Sequence, residues 1–158
     1  MPMAIRTILH PTDYSPASEA AFAFACSLAR EYFSEILLLN VAEPVVVPLM
    51  DGAVFEIPSD DLSQQQKRLE TVFSLDPHVK VRREVALGNP VDEIARVAAE
   101  SKAAMIVMGT HGRSGFSRLL LGSVAEGVLR KVACPVLLVK RQPAVKSEPV
   151  PVSRSETP

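Results

Sequence analysis

The chain reads as a single α/β domain built on a mainly parallel sheet. Short apolar runs alternate with amphipathic helical segments from residue 5 to residue 140. The run Ile36-Leu37-Leu38-Leu39-Asn40-Val41 is almost continuously apolar, as strands covered on both faces are. A parallel crossover needs a connecting helix, so alternation and two-sided burial point to the same layered architecture. At 158 residues the chain can bury a sizeable core without staples.

Ile5 to His10 forms the first strand, closed by Pro11-Thr12-Asp13. Ser15-Pro16 then supplies an N-cap and a proline at the first helical position. Ala20, Ala21, Phe24, Ala25, Leu28 and Ala29 recur at helical spacing and give that helix one apolar face before the second strand. From Ala42 to Pro58 three prolines (Pro44, Pro48, Pro58) and Asp51-Gly52 predict an irregular loop, a lid or contact surface. Ser59 caps a second helix with Leu62, Leu69, Val72 and Phe73 on one side, ending near Asp76-Pro77. Val79, Val81, Val85 and Leu87 predict a third strand that stops at Gly88.

Asn89-Pro90 repeats the cap-then-proline start, with Asp92 at the third helical position and Val91, Ile94, Ala95 and Ala98 as the buried stripe. Ala103 to Met108 is the fourth strand. Ser123-Val124-Ala125-Glu126 has the S-x-x-E form of a capping box and starts a helix reaching about Val132. Cys134 to Val139 is the fifth strand. The domain is thus expected over residues 1–140, and residues 141–158, rich in proline and without periodicity, as a disordered tail.

Composition narrows the function. Net charge is −1 with both signs interspersed, which gives no electrostatic footprint for nucleic acid. The N-terminus has no basic segment followed by an apolar core, and no apolar run approaches a membrane span, so a cytoplasmic protein with no membrane partner is expected. Cys26 and Cys134 lie in apolar stretches and read as reduced, buried core thiols. No His, Cys or carboxylate cluster has metal-ligand spacing.

The chemistry concentrates after the fourth strand, where Gly109-x2-Gly112-x9-Gly122-Ser123 precedes a helix. A strand ending at a glycine-rich turn, followed by a helix start at a small hydroxyl residue, surrounds a phosphate with backbone N–H groups. Taken singly, Gly109, Gly112, Gly115 and Gly122 are explained equally well by turns and a helix cap. Arg113 and Arg118 in the same stretch favour an anion. No lysine follows Gly122, so the segment is not a Walker A loop; its spacing is neither G-x-G-x-x-G nor the G-x-S-x-G elbow. Ligands of open parallel sheets bind at the strands' carboxyl ends. That rule gathers Pro11-Thr12-Asp13, Val41-Ala42 and the glycine segment. Asp13 either closes a local Asx turn or faces the ligand; His10 and His78 read as structural or surface histidines.

These residues resemble the universal stress protein family, in its nucleotide-binding branch with G-x2-G-x9-G-[S/T], over Ile5 to Lys140. The resemblance implies an adenine nucleotide alpha hydrolase-like fold, with a five-stranded parallel sheet of strand order 3-2-1-4-5, helices on both faces and ATP at the carboxyl edge. It implies that Val41 meets the adenine through its backbone and that Pro11, Thr12 and Asp13 line base and ribose. It places Gly109, Thr110, His111, Gly112, Arg113, Ser114 and Gly115 around ribose and phosphates, with Gly122, Ser123, Val124 and Ala125 closing the phosphate end. Mg²⁺ or Mn²⁺ would ride on the phosphates. Family members commonly pair through the last strand, here Val136-Leu137-Leu138-Val139, which implies a homodimer and covers an apolar edge.

The expected function is an ATP-binding, nucleotide-dependent stress-response or signalling module with slow or no hydrolysis and a protein partner, since no residue stands out as a base for attacking water. The alternatives are a weak ATPase or self-phosphorylating enzyme using Ser114, Ser117 or Ser123, and a non-catalytic dimeric scaffold. RNA binding through a GxxG loop fits poorly, because a strand rather than a helix precedes the loop.

Overall fold

A computed structural model describes residues 5–50, 52–58, 62–74, 76–110 and 121–140. In chain order the elements are β1 (Thr7–Pro11), α1 (Pro16–Tyr32), β2 (Glu35–Ala42), β3 (Pro44–Pro48), β4 (Val54–Pro58), α2 (Leu62–Glu70), β5 (Lys80–Leu87), α3 (Pro90–Glu100), β6 (Met105–Gly109), α4 (Ser123–Lys131) and β7 (Val136–Val139). Five of the strands make one sheet in the order β5-β2-β1-β6-β7. Every neighbouring pair in it is parallel. With β3 and β4 left out of the count, this is the expected 3-2-1-4-5 order.

Side chains alternate across each strand, and the core divides accordingly. Leu9, Leu37, Leu39, Ile106 and Met108 pack with Ile94, Val97, Ala125 and Val128 of α3 and α4. Ile8, Ile36, Leu38 and Val107 pack on the opposite face with Ala21, Phe22, Ala25 and Leu69 of α1 and α2. The continuous apolar run of β2 is thereby explained, since both of its faces are covered.

Local hydrogen bonds account for the helix starts. Ser15 accepts the Ser18 N–H, and Pro16 occupies the first turn of α1, where a missing N–H costs nothing. Asn89 accepts from both Val91 N and Asp92 N to start α3. Gly88, at φ +147°, ends β5 in a conformation that side chains with a Cβ rarely adopt.

Several expectations need correction. The stretch from Ala42 to Pro58 is not irregular, because β3 and β4 pair as an antiparallel hairpin around Gly52. Leu49 N donates to Ala53 O at 2.8 Å, which by alternation turns the nitrogens of Pro48, Pro44 and Pro58 outward, where proline loses no ladder bond. Helix α2 ends at Glu70 rather than near Asp76. Tighter turns follow it, with Val72 N donating to Leu69 O, and Arg83 adds a second bond to the Leu69 carbonyl and one to the Val72 carbonyl beyond the helix end. Phe73 and Phe24 are exposed, and Phe22 rather than Phe24 fills the α1 face. In α3 the buried stripe is Ile94, Val97 and Ala98. Strand starts shift inward by one or two residues, to Thr7, Lys80, Met105 and Val136. Cys26 and Cys134 are free thiols but only half-buried, and burial pushes both thiol pKa values up. Ser59 and the tail 141–158 lie outside the described residues.

Candidate functional site

The strand order brings the carboxyl ends of β2, β1, β6 and β7 side by side. Successive strands run outward from β1 through β2 to β5 and from β6 to β7. The switch point of the sheet therefore lies between β1 and β6, where open α/β sheets hold ligands.

On the β1 side the chain turns through a dense set of hydrogen bonds, some within the turn and some to β2. Thr12 N donates to Leu39 O at 2.8 Å, and Asn40 Nδ2 donates to Thr12 O at 2.9 Å. Thr12 Oγ1 accepts from Tyr14 N at 3.1 Å and from Ser18 Oγ at 2.9 Å. Asp13 Oδ1 accepts the Ser15 N–H at 2.9 Å, the Asx turn that the sequence offered as one of two readings. Tyr14 adopts φ 61°, an uncommon conformation for an aromatic residue that this ring of bonds holds in place. The Thr12 hydroxyl thus braces the turn toward α1. Val41, half-buried, packs with the α3/α4 side of the core. Pro11 shares its parity along the paired strands.

On the β6 side Thr110 follows Gly109, and its N–H donates to Val139 O of β7 at 3.1 Å. Thr110 O accepts the Gly122 N–H at 2.8 Å, which ties together the two ends of the intervening segment. Within that segment His111, Gly112, Arg113, Ser114 and Gly115 lie outside the described residues. Gly109 has a packing reason of its own: a Cβ there would stand 2.9 Å from the carbonyl carbon and 3.0 Å from the carbonyl oxygen of Ala17 in α1.

The start of α4 differs from the expected capping box. Gly122 is the N-cap, no side chain among the described residues caps the helix, and Ser123 is the exposed first helical residue. Glu126 pairs with Arg130 instead of reaching back. The Gly122 carbonyl takes Glu126 N at 2.9 Å, so the Gly122 N–H and C=O are both committed within the protein. The amides of Ser123, Val124 and Ala125, in the first turn, have no intrahelical acceptor. They give α4 a donor set and a positive dipole end beside the switch point.

Sequence reasoning missed Asn40. It is buried in β2, holds the Thr12 carbonyl and leaves its own Oδ1 without a hydrogen-bond partner among the described residues. The signal was its place as the one polar residue in the apolar run from Ile36 to Val41. His10 is structural, as expected, and fully buried: Nδ1 donates to Val107 O at 2.7 Å. Desolvation lowers its pKa to about 4, against smaller raising effects of the Val107 bond and the Asp13 charge. His78 is an exposed partner of Asp76 on the α2–β5 connection. Among the described residues no group of three His, Cys, Asp or Glu side chains is placed to hold a metal, and no helix is long and apolar enough to cross a membrane.

The model of the universal stress protein family matches residues 4–140. Universal stress protein MJ0531 of Methanocaldococcus jannaschii is 38% identical over 141 residues, covering 86% of this chain and 82% of its own length. The solved structure of MJ0577 from the same organism has a TM-score of 0.66 at 26% identity, over 90% of this chain and 100% of that one. A universal stress protein from Archaeoglobus fulgidus, solved in complex with dAMP, shares the fold at a TM-score of 0.63 and 22% identity, over 87% of this chain and 100% of that one. By sequence along its folded length and by sheet topology, this chain belongs to the universal stress protein family.

Proposed function

We propose that the protein binds ATP at the β1/β6 switch point and acts as a nucleotide-dependent stress-response or signalling module, with slow or no hydrolysis. The observation that carries this reading is the start of α4, whose amides at Ser123, Val124 and Ala125 adjoin a glycine-rich segment closed by the Thr110–Gly122 bond. Each hydrogen bond to a charged oxygen contributes about 1.5–3 kcal/mol and the helix dipole about 0.3–1 kcal/mol, so converging amides dominate phosphate binding. In this reading Val41, Pro11, Thr12 and Asp13 take the base and ribose. Gly109, Thr110, His111, Gly112, Arg113, Ser114 and Gly115 surround ribose and phosphates, and Gly122 to Ala125 close the phosphate end. Mg²⁺ or Mn²⁺ is carried on the phosphates. The dAMP complex shares only the fold with this chain, so the ligand assignment rests on the site itself.

The same reading makes the working unit a cytoplasmic homodimer. Among the described residues β7 pairs only with β6, and its four residues Val136 to Val139 are apolar and half-buried. A second copy of β7 would cover that open edge.

Calorimetry with ATP, ADP and GTP, each with and without Mg²⁺, tests the proposal. Saturable adenine-nucleotide binding is expected, together with its loss in Ser123→Asp. The introduced carboxylate takes the anion position and suits a helix N-terminus, so that variant keeps its fold. Flat titrations for every nucleotide would end this reading, and phosphate release well above buffer would replace it with an ATPase.

A further inference from the structure

The β1–β6 ladder stops early. β1 stays paired to β2 as far as Pro11↔Leu39, and β6 to β7 as far as Gly109↔Val139, yet β1 and β6 pair only at Ile8↔Met105 and Leu9↔Ile106. Backbone alternation shows why. Glu35 N donates to Arg6 O and Thr12 N to Leu39 O, so even-numbered residues of β1 face β2; Ala104 N donates to Thr7 O, so odd-numbered ones face β6. The next bond toward β6 after that of Leu9 would run from the N–H of residue 11 to the carbonyl of Val107. Residue 11 is proline and has no N–H.

The orphaned carbonyl does not go unserved. His10 Nδ1, from the neighbouring residue's side chain, donates to Val107 O at 2.7 Å in a fully buried position. The same ring packs against Phe22 with centroids 5.4 Å apart, and its Nε2 lies 3.4 Å from Ser18 Oγ. Ser18 Oγ in turn donates to Thr12 Oγ1. An imidazole reaching a strand carbonyl spans more than a backbone N–H does, so the Val107 carbonyl is satisfied without a further ladder bond between the two strands.

We infer that His10 and Pro11 form a wedge that sets the width of the crevice between β1 and β6, with His10 as a positioning residue for the nucleotide rather than a contact. Pro11 ends the ladder, and His10 takes over the carbonyl that Pro11 cannot serve. The ring also lies beside Ser18, whose hydroxyl donates to Thr12 Oγ1 at the turn. This inference rests on the nucleotide reading for its ligand, but not for its geometry.

The test uses His10→Leu, His10→Gln, Pro11→Ala and the double variant His10→Leu/Pro11→Ala, each measured by urea unfolding, amide hydrogen exchange and ATP calorimetry. Pro11→Ala supplies the missing donor. The amide it introduces at position 11 is expected to be protected from exchange, its stability equal to or above that of the parent, and its ATP affinity at least tenfold weaker because the crevice has closed. His10→Leu loses stability, and adding Pro11→Ala restores that stability without restoring affinity. His10→Gln retains a donor and is expected to bind ATP within about threefold of the parent. If the introduced amide exchanges at the free-peptide rate, the wedge is overturned with no ligand present. Parent-like ATP affinity in Pro11→Ala, or a His10→Gln variant as weak as His10→Leu, would overturn its role in binding. A parent protein that binds no nucleotide would sink the functional reading instead, and the exchange measurement would still decide the geometry.

Discussion

Lowering the pH should weaken this fold through His10, by an amount the structure sets. Burial is the largest influence on that ring and brings its pKa from 6.5 down to about 4, while the Val107 bond and the Asp13 charge act in the opposite direction. The folded state therefore keeps the ring neutral in a range where the unfolded chain takes up a proton. Because the unfolded state binds more protons there, stability is fully present above pH 6.5 and is lost as pH falls toward 4. The linkage relation gives a loss of about 2 kcal/mol at pH 5 and about 3 kcal/mol below pH 4. Urea unfolding at pH 7.5, 6.5 and 5 reads this directly when the parent is compared with His10→Gln, which keeps a donor for Val107 but does not titrate. Carboxylates such as Asp76, held below its usual range chiefly by the His78 backbone N–H, titrate in both proteins and cancel in the difference. The parent should lose about 2 kcal/mol more than the variant between pH 7.5 and 5. Parallel pH profiles would refute the claim that burial of a neutral His10 controls acid stability.

Gly109→Ala should cost about 1–3 kcal/mol in chemical unfolding with no ligand present, because its Cβ meets the rigid backbone of Ala17 at the start of α1. Ser123→Pro removes one first-turn amide of α4 at a position where helices tolerate proline. It should weaken ATP binding about tenfold, the value of one charged hydrogen bond, and shift stability by less than about 0.5 kcal/mol. Asn89→Ala deletes the cap that serves Val91 and Asp92 and should cost about 1 kcal/mol in unfolding while calorimetry shows an unchanged affinity.

The elements that sequence reasoning read well are those whose causes lie within a few residues. Ser15-Pro16 and Asn89-Pro90 start helices through bonds to amides two or three positions away. The hairpin was missed although Asp51-Gly52 is a hairpin signal, because prolines usually argue against strands; only the pairing register shows that all three occupy outward positions. The capping box at Ser123 failed for the opposite reason. Its local pattern was present, but the Gly122 amide was drawn to Thr110, and the helix began one residue earlier than the pattern proposed.

Sequence alone was enough for the alternation along the chain of the four helices with the five strands of the parallel sheet, the glycine spacing after the fourth of those strands and the absence of a strong net charge, because periodicity, caps and composition are properties of neighbouring residues. Tertiary structure decided what those residues do. It turned the Thr12 hydroxyl toward α1, set Gly109 against Ala17, and began α4 at Gly122, so that the amides of its first turn have no acceptor within the helix. It also joined His10 to a carbonyl 97 positions further along the chain. Such contacts depend on strand order and register, which arise only when distant segments share one sheet and each buried polar group must find its partner there.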